Sequence, residues 1–171
     1  LHPLALGAKE QLLKHIEYTC LQKKGKLIIP SFSVGRTQEL LYALNQLELE
    51  NRLPRLRYIV DSPLSILATR VVKRFPELFN AHLQKVLQKD EDPFAFSGLE
   101  FTANVEESKA LNDSKQPMVI ISASGMAEAG RVKHHIANNI SDEKNTILLV
   151  GYAEPQSLGG RLKNRPQKVG I

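Results

Sequence analysis

The chain has 171 residues, of which 42% are hydrophobic and 24% charged, and this is the size and composition of one globular domain with a real core. The formal net charge of +5 is compatible with a nucleic-acid partner without requiring one. The composition excludes a collagen-like, disordered or disulfide-stapled chain, and no apolar run approaches the roughly 20 residues that span a bilayer, so we expect no membrane partner.

The N-terminal part of the chain predicts a helix, a strand and a second helix. Apolar residues recur every four positions from Leu4 to Cys20, which indicates an amphipathic helix that ends near Gly25. Cys20 lies on the apolar face, so we interpret it as a core residue rather than a nucleophile; a single cysteine is typical of a reducing compartment, and we expect a cytoplasmic protein. Lys26–Pro30 predicts a short strand that stops at its proline. Ser33 is then the expected N-cap of a helix that carries four leucines, which are Leu40, Leu41, Leu44 and Leu47.

The middle of the chain predicts a second strand followed by helical segments. Arg57–Val60 is short and apolar, as a buried strand is. Ser62 is a good N-cap residue and Pro63 suits the first helical position. The helical pattern continues to residue 89 with a break at Pro76, and residues 90–98 form a loop.

The C-terminal part predicts three more strands that alternate with helices. Residues 99–103 indicate a short edge strand, and Asn104 is the expected cap of a helix over residues 105–111. Residues 118–121 and 146–151 predict buried strands, with a helix between them that starts at Arg131. Strands and helices that alternate in this way predict an α/β fold of three layers, a mostly parallel sheet with helices on both faces.

Small, polar or glycine-bearing turns follow four of the predicted strands. In a parallel sheet of this kind, ligands bind outside the carboxyl ends of the strands. A strand, a Gly/Ser turn and a helix N-terminus present backbone N–H groups and a positive dipole end to an anion. We therefore predict a shallow groove for an anionic ligand along this edge, and a nearby arginine and two histidines favour a phosphate. The turns are residues 31–36, 61–62, 122–125 and 151–152.

Several catalytic signatures are missing from the sequence. It has no Gly-x-Gly-x-x-Gly dinucleotide fingerprint, no P-loop and no Gly-x-Ser-x-Gly nucleophile elbow. Its five histidines form no His-x-His or His-x-x-x-His pair. From the residues alone we expect a binding domain without catalytic residues, metal site or cofactor of its own.

Four motifs in order resemble the signatures of the β-CASP domain, which is inserted in metallo-β-lactamase-fold nucleases. They extend over about residues 1–163, and the pattern is most similar to the bacterial RNA-processing branch, such as the nuclease subunit of the mRNA 3′-end cleavage machinery. The motifs are residues 26–41, Asp61-Ser62-Pro63-Leu64, residues 124–126 with 130–135, and residues 145–152 with 158–160.

The resemblance implies that residues 1–171 are a single Rossmann-like β-CASP domain excised from a larger enzyme. In that family, the metallo-β-lactamase domain holds two zinc ions on a His-x-His-x-Asp-His motif and further ligands, and a zinc-bound hydroxide attacks an RNA phosphodiester. The motif is absent here, so this chain alone is expected to be inactive. The implied partners are single-stranded RNA and the parent's own metallo-β-lactamase domain. Whether the protein forms a homo-oligomer is left undecided by the resemblance. The alternative is a self-contained phosphate- or nucleotide-binding regulatory module.

The family's cleft positions match eight residues, whose hydroxyls, backbone N–H groups and guanidinium groups suit phosphate oxygens. Each of these residue types also has an alternative role. The glycines can serve backbone geometry alone, and the arginines can pair with acidic neighbours such as Glu39 or Glu128. His135 can contact RNA or pack inside the domain, whereas His134 is expected at the surface or in packing. The eight residues are Ser33, Gly35, Arg36, Ser124, Gly125, Gly130, Arg131 and His135.

Overall fold

A five-stranded parallel sheet organises the part of the chain that the computed structural model describes, which is residues 6–78, 84, 92–164, 166 and 168–171. The strand order is β3-β2-β4-β1-β5, and every neighbouring pair is parallel. The predicted parallel sheet is therefore confirmed, and so is the short edge strand. The strands are β1 (Lys26–Pro30), β2 (Arg57–Val60), β3 (Leu99–Phe101), β4 (Met118–Ser122) and β5 (Thr146–Ile147).

Helices connect the strands in the predicted alternation. The first continues beyond Ile16 as a π-helical turn over Glu17–Gln22, and a 3₁₀ turn at Pro76–Leu78 marks the predicted break. The rest of the helix predicted up to residue 89 lies outside the described residues, apart from residue 84. The described α-helices are α1 (Leu6–Ile16), α2 (Arg36–Leu49), α3 (Pro63–Lys73), α4 (Val105–Asp113), α5 (Arg131–Asn139) and α6 (Leu158–Lys163). None of them is long and apolar enough to cross a membrane.

Each face of the sheet is covered by its own apolar core, which confirms the three layers. Successive residues of a strand point to opposite faces, so Leu27 and Ile29 pack on one side and Ile28 on the other. The first core is closed by α1, α2 and α3 and includes the fully buried Cys20, as predicted. The second is closed by α4, α5 and α6 through Leu111, Val132, Ile136 and Leu158. Both central strands, β1 and β4, are buried along their whole length.

One predicted helix boundary is wrong, and the error has a local cause. Ser33 does not cap α2: the chain takes φ +84° at Gly35, which becomes the N-cap and donates its N–H to Gln38 Oε1 at 2.7 Å. The first helix ends at Gln22, shortly before Gly25 as predicted, and Lys24 supplies the left-handed residue after it with φ +58°. A Cβ at Gly25 would lie 1.9 Å from the Lys144 carbonyl oxygen, so close approach of two segments requires that glycine.

Two predicted strands are shorter than expected. β5 ends at Ile147, although the Leu148 N–H still donates to the Ile28 carbonyl at 2.9 Å. β3 ends at Phe101, and the Thr102 N–H donates to the Val60 carbonyl at 3.2 Å. The apolar runs extend beyond the paired residues because these segments still pack against the core after they leave the ladder; Leu148 and Val150 both contact the first core.

Candidate functional site at the carboxyl ends of the strands

Three of the four predicted turns, those that follow β1, β2 and β4, meet at the carboxyl-terminal edge of the sheet, where these strands end. The Ser31 N–H donates to the Ser122 carbonyl at 3.0 Å, and Ser33 Oγ lies 3.5 Å from Ser62 Oγ. The Phe32 ring covers Gly125, where a Cβ would lie 2.6 Å from ring carbon Cδ2. We call this edge, residues 31–36, 61–62 and 123–131, the rim.

Asp61 is the buried centre of the rim. It directly follows β2, and its side chain is fully buried. Its carboxylate accepts hydrogen bonds from Ser108 Oγ at 2.5 Å and Arg131 Nη1 at 2.6 Å, and His135 Nε2 lies 2.6 Å away. Burial raises the pKa of Asp61, but the hydrogen bonds from His135, Ser108 and Arg131 outweigh it and hold this pKa below its ordinary value. The carboxylate is therefore an anion at neutral pH, bound by groups from α4 and α5.

Arg131 links three segments through its guanidinium group. Besides Asp61, Nη1 donates to the Thr102 carbonyl at 3.0 Å and Nη2 donates to the Ala103 carbonyl at 2.8 Å. An ion pair was one of the predicted alternatives, and its partner is Asp61 rather than Glu128, whose carboxylate accepts from the Leu158 N–H. The side chain is 20% exposed. A guanidinium has five N–H donors, so within the described residues Nε and one Nη2 hydrogen remain for a ligand.

His135 lies inside the domain rather than on the groove surface. Its ring is fully buried, with Nδ1 at 2.8 Å from Asn112 Oδ1 and Nε2 against Asp61. The neighbouring His134 is exposed, as predicted. RNA contact by His135 stays a prediction, and this geometry favours an indirect role in which the ring orients the Asp61 carboxylate that holds Arg131.

The polar network continues from His135 towards the opposite end of the sheet. Asn139 Nδ2 donates to Asn112 Oδ1 at 2.9 Å, and Lys26 Nζ donates to Asn139 Oδ1 at 3.1 Å. Lys26 Nζ also donates to the Asn112 carbonyl at 2.8 Å, and burial lowers the pKa of this lysine. The network therefore connects the end of β2 to the start of β1 beneath α4 and α5.

The remaining predicted residues divide into accessible donors and backbone positions. Ser33, Arg36 and Ser124 are half-buried on the rim, and Arg36 Nη1 pairs with Glu39 Oε2 at 2.6 Å, one of the predicted alternatives. Gly130 has φ +78°, and a Cβ there would lie 2.6 Å from the Ala123 carbonyl oxygen. Backbone conformation thus accounts for Gly35 and Gly130, and the close Phe32 ring accounts for Gly125. Contacts of the eight residues with RNA stay predictions.

Ser108 and Asn112 were not predicted to be part of the site. Asp61 was expected in one of the turns of the groove and in a family motif, but not as the carboxylate that binds Arg131 and contacts His135. Ser108 and Asn112 are ordinary polar residues of a helix, and nothing in their spacing indicates the carboxylate and imidazole that they contact. Among the described residues, no group of three or more His, Cys, Asp or Glu side chains could hold a metal ion.

A parallel sheet that is covered by helices on both faces and carries a polar rim of small residues and arginines defines a three-layer α/β domain. The profile of the Beta-Casp domain matches residues 37–162, and the chain belongs to that family.

Relatives of known name extend the comparison across nearly the whole chain. Ribonuclease TTHA0252 of Thermus thermophilus is 38% identical over 164 residues, which is 94% of this chain and 37% of that protein. An RNase J-like protein of Methanocaldococcus jannaschii is 29% identical over 167 residues, 98% of this chain and 37% of that protein. Transcription termination factor FttA of Methanosarcina mazei is 28% identical over 160 residues, 93% of this chain and 25% of that protein. The chain thus spans well under half the length of these relatives.

Proposed function

We propose that this chain is the RNA-binding β-CASP domain of a longer, zinc-dependent ribonuclease, in which it closes over a metallo-β-lactamase domain. The relative with 38% identity is named a ribonuclease, and the matched segment is 37% of its length, which leaves room for a second domain in a protein of that size. The described residues of this chain do not fit a zinc ligand set, so the two zinc ions and the attacking hydroxide belong to the other domain, and the role of this chain is to hold RNA.

The main support for this proposal is the geometry of the rim. Three turns converge there, and two of them, residues 31–36 and 123–131, bring groups that bind phosphate oxygens without reading bases: serine hydroxyls at Ser33 and Ser124, backbone N–H groups, and guanidinium groups. Arg131 is held in one orientation by Asp61 and two carbonyl groups, so its two remaining N–H donors are preorganised for an anion. Arg36 adds a second cation on the neighbouring turn, paired only with the partly exposed Glu39 among the described residues.

A phosphodiester on this rim would lie at the positive ends of two helix dipoles. α2 begins at Arg36 and α5 begins at Arg131, each after a glycine of positive φ. The Thr37 N–H donates to the Phe32 carbonyl and the Val132 N–H donates to the Ala123 carbonyl, so these helix ends favour an anion mainly through their dipoles and the arginine side chains. Because these groups recognise the phosphate backbone, the proposal predicts RNA binding of low sequence preference and strong salt dependence.

Fluorescence anisotropy with a labelled single-stranded RNA tests the proposal in the 171-residue chain and in the longer protein. We expect binding that weakens with salt and that Arg36→Ala reduces. Arg55→Ala is a matched control, because Arg55 is an exposed arginine just before β2, at the opposite end of the sheet. Equal effects of the two substitutions would show that net charge and not the rim binds RNA. Tighter binding of a mononucleotide than of RNA would favour the self-contained regulatory module instead.

A further inference from the structure

Helix α3 presents an apolar stripe to solvent, the reverse of the pattern expected for a surface helix. Leu64, Leu67, Val71 and Phe75 are 60%, 55%, 55% and 47% exposed. Their spacing of three, four and four residues places them along one side of the helix and of the turn that follows it. The opposite side of α3 faces the domain, and its residues Ser65, Ile66 and Thr69 are buried. A contiguous exposed apolar surface of this kind indicates an interaction site.

The flanks of the stripe are positively charged. Between Pro63 and Phe75 the sequence contains three cations and no acidic residue. Lys73 Nζ pairs with Asp92 Oδ2 at 2.5 Å, whereas Arg70 and Arg74 are exposed and form no ion pair within the described part of the chain. A partner that covers the stripe therefore meets at least two unneutralised guanidinium groups beside it.

The stripe is preformed on a fixed element. Ser62 caps α3 by accepting the Ser65 N–H at 3.2 Å. Thr69 Oγ1 accepts from Gln38 Nε2 at 2.9 Å, which holds α3 against α2. A partner therefore docks on a rigid helix and loses little affinity to ordering of this surface.

We propose that the α3 stripe binds an acidic amphipathic helix of a partner protein, with apolar residues at helical spacing and Asp or Glu beside them. The stripe begins two residues after the rim residue Ser62, and this proposal does not rest on RNA binding at the rim. A second copy of the chain is a poorer occupant, because Arg70 and Arg74 would face their own equivalents. Four half-exposed side chains also offer far less than the roughly 800 Å² per partner of a stable interface. A short helix in contact with the stripe suits the helix-in-groove mode, in which anchors at i, i+3 or i+4 and i+7 carry the affinity.

The test uses the 171-residue chain, labelled with ¹⁵N, and a synthetic helical peptide. The peptide carries leucines at the spacing of the stripe and glutamates on both flanks, and a second peptide replaces every glutamate by lysine. We expect the acidic peptide to shift the amide signals of α3, with a Kd that rises with salt, and the lysine peptide to bind at least tenfold more weakly. Val71→Gln should weaken the acidic peptide about tenfold, because one buried apolar anchor is lost.

Matched variants distinguish binding at this site from nonspecific hydrophobic binding. Val105→Gln is the control, since Val105 is a similarly exposed valine on α4, across the sheet, and it should leave the affinity unchanged. The double variant Arg70→Glu with Arg74→Glu should prefer the lysine peptide over the acidic one. Thermal unfolding of each variant confirms that the fold is retained.

Other outcomes would overturn the proposal. No preference between the two peptides, or equal losses from Val71→Gln and Val105→Gln, would remove the site. Binding to vesicles that contain anionic lipid, lost with Val71→Gln, would assign the stripe to a membrane surface. Concentration-dependent mass in ultracentrifugation, abolished by the same variant, would assign it to self-association. If the acidic peptide binds this chain but not the longer protein, the stripe contacts another part of that protein.

Discussion

Asp61 and Arg131 are 70 positions apart in the sequence, and Arg131 Nη1 lies 2.6 Å from Asp61 Oδ1 at the edge of the sheet. This pair joins the end of β2 to the start of α5. It also gives Arg131 two roles at once, because the same guanidinium group that neutralises a buried carboxylate has donors left for a phosphate. Any change at either residue therefore has to be examined for stability and for ligand binding separately.

Asp61→Asn should destabilise the domain by about 2–4 kcal/mol, the range for breaking a buried, hydrogen-bonded charge pair. The substitution keeps the shape of the side chain but removes the charge that holds Arg131 and His135. Urea unfolding of the two proteins measures the difference. Glu106→Gln is the control: Glu106 is an exposed acidic residue of α4 for which the described residues show no ion pair, so its loss should change stability by less than about 0.5 kcal/mol.

The contribution of Asp61 to stability should depend on pH in a defined direction. Its pKa is lower in the folded chain than in the unfolded chain, so the stabilisation is fully present above the unfolded value of about 4 and is lost as the pH falls through the folded value. The difference in unfolding free energy between the parent chain and Asp61→Asn should therefore be constant near neutral pH and shrink below about pH 4. A difference that grows on acidification would show that Asp61 is protonated in the native state.

Gly130→Ala should destabilise the chain by about 2 kcal/mol or more. The residue has φ +78°, which costs a side chain roughly 1–3 kcal/mol, and the added Cβ would lie 2.6 Å from the Ala123 carbonyl oxygen. Gly7→Ala is the matched control, since Gly7 lies in α1 and a Cβ there meets nothing within 4 Å. That change should stabilise the helix by about 0.5–1 kcal/mol. Thermal unfolding of both variants checks the contrast.

Cys20 should be unreactive in the folded chain. Burial raises the pKa of its thiol to about 11, and the side chain is almost fully enclosed in the first core. The thiolate is the reactive form, so a disulfide reagent at pH 8 should modify Cys20 at the rate of unfolding. Addition of urea should make the reaction fast. Rapid modification in the native state would contradict the assignment of Cys20 to the core.

The layered fold was predictable because it depends on periodicity, which a sequence displays directly. β1, β2 and β4 are short apolar runs, each followed by a helix, and the rule for parallel sheets places their ends together. Element ends were less predictable, since they depend on backbone conformations at single residues. Gly35, rather than Ser33, is the N-cap of α2, because the chain adopts a positive φ there.

The candidate site was only partly predictable, because its centre forms from residues far apart in sequence. Arg131 and the turn glycines were identified from local motifs. The carboxylate that fixes Arg131 comes from another strand, and Ser108 and Asn112 come from a helix with no distinctive pattern. Burial of His135 also depends on how α4 packs against α5, and no sequence motif indicates this packing. Local chemistry therefore identified the groups on the surface of the rim but not the buried network that orients them.

Arg36→Ala and Arg131→Ala should separate the contribution of the rim to stability from its contribution to RNA binding. Arg36 makes a partly exposed ion pair with Glu39, so its loss should change stability by less than about 1 kcal/mol. Arg131→Ala leaves the buried Asp61 carboxylate without its arginine and should cost about 2–4 kcal/mol. Urea unfolding measures both values in the 171-residue chain.

RNA binding by the same two variants, measured below their unfolding transitions, should fall for every sequence alike. If each guanidinium group holds one phosphate, each loss should make the dependence of log Kd on log salt shallower by about one unit, because one fewer counterion is released. Arg131→Lys should restore part of the affinity but little of the stability, since an ammonium group cannot reach Asp61 and two carbonyl groups together. An Arg131→Ala variant that is less stable but binds RNA with unchanged affinity per folded molecule would make Arg131 a structural residue and leave Arg36 as the phosphate contact.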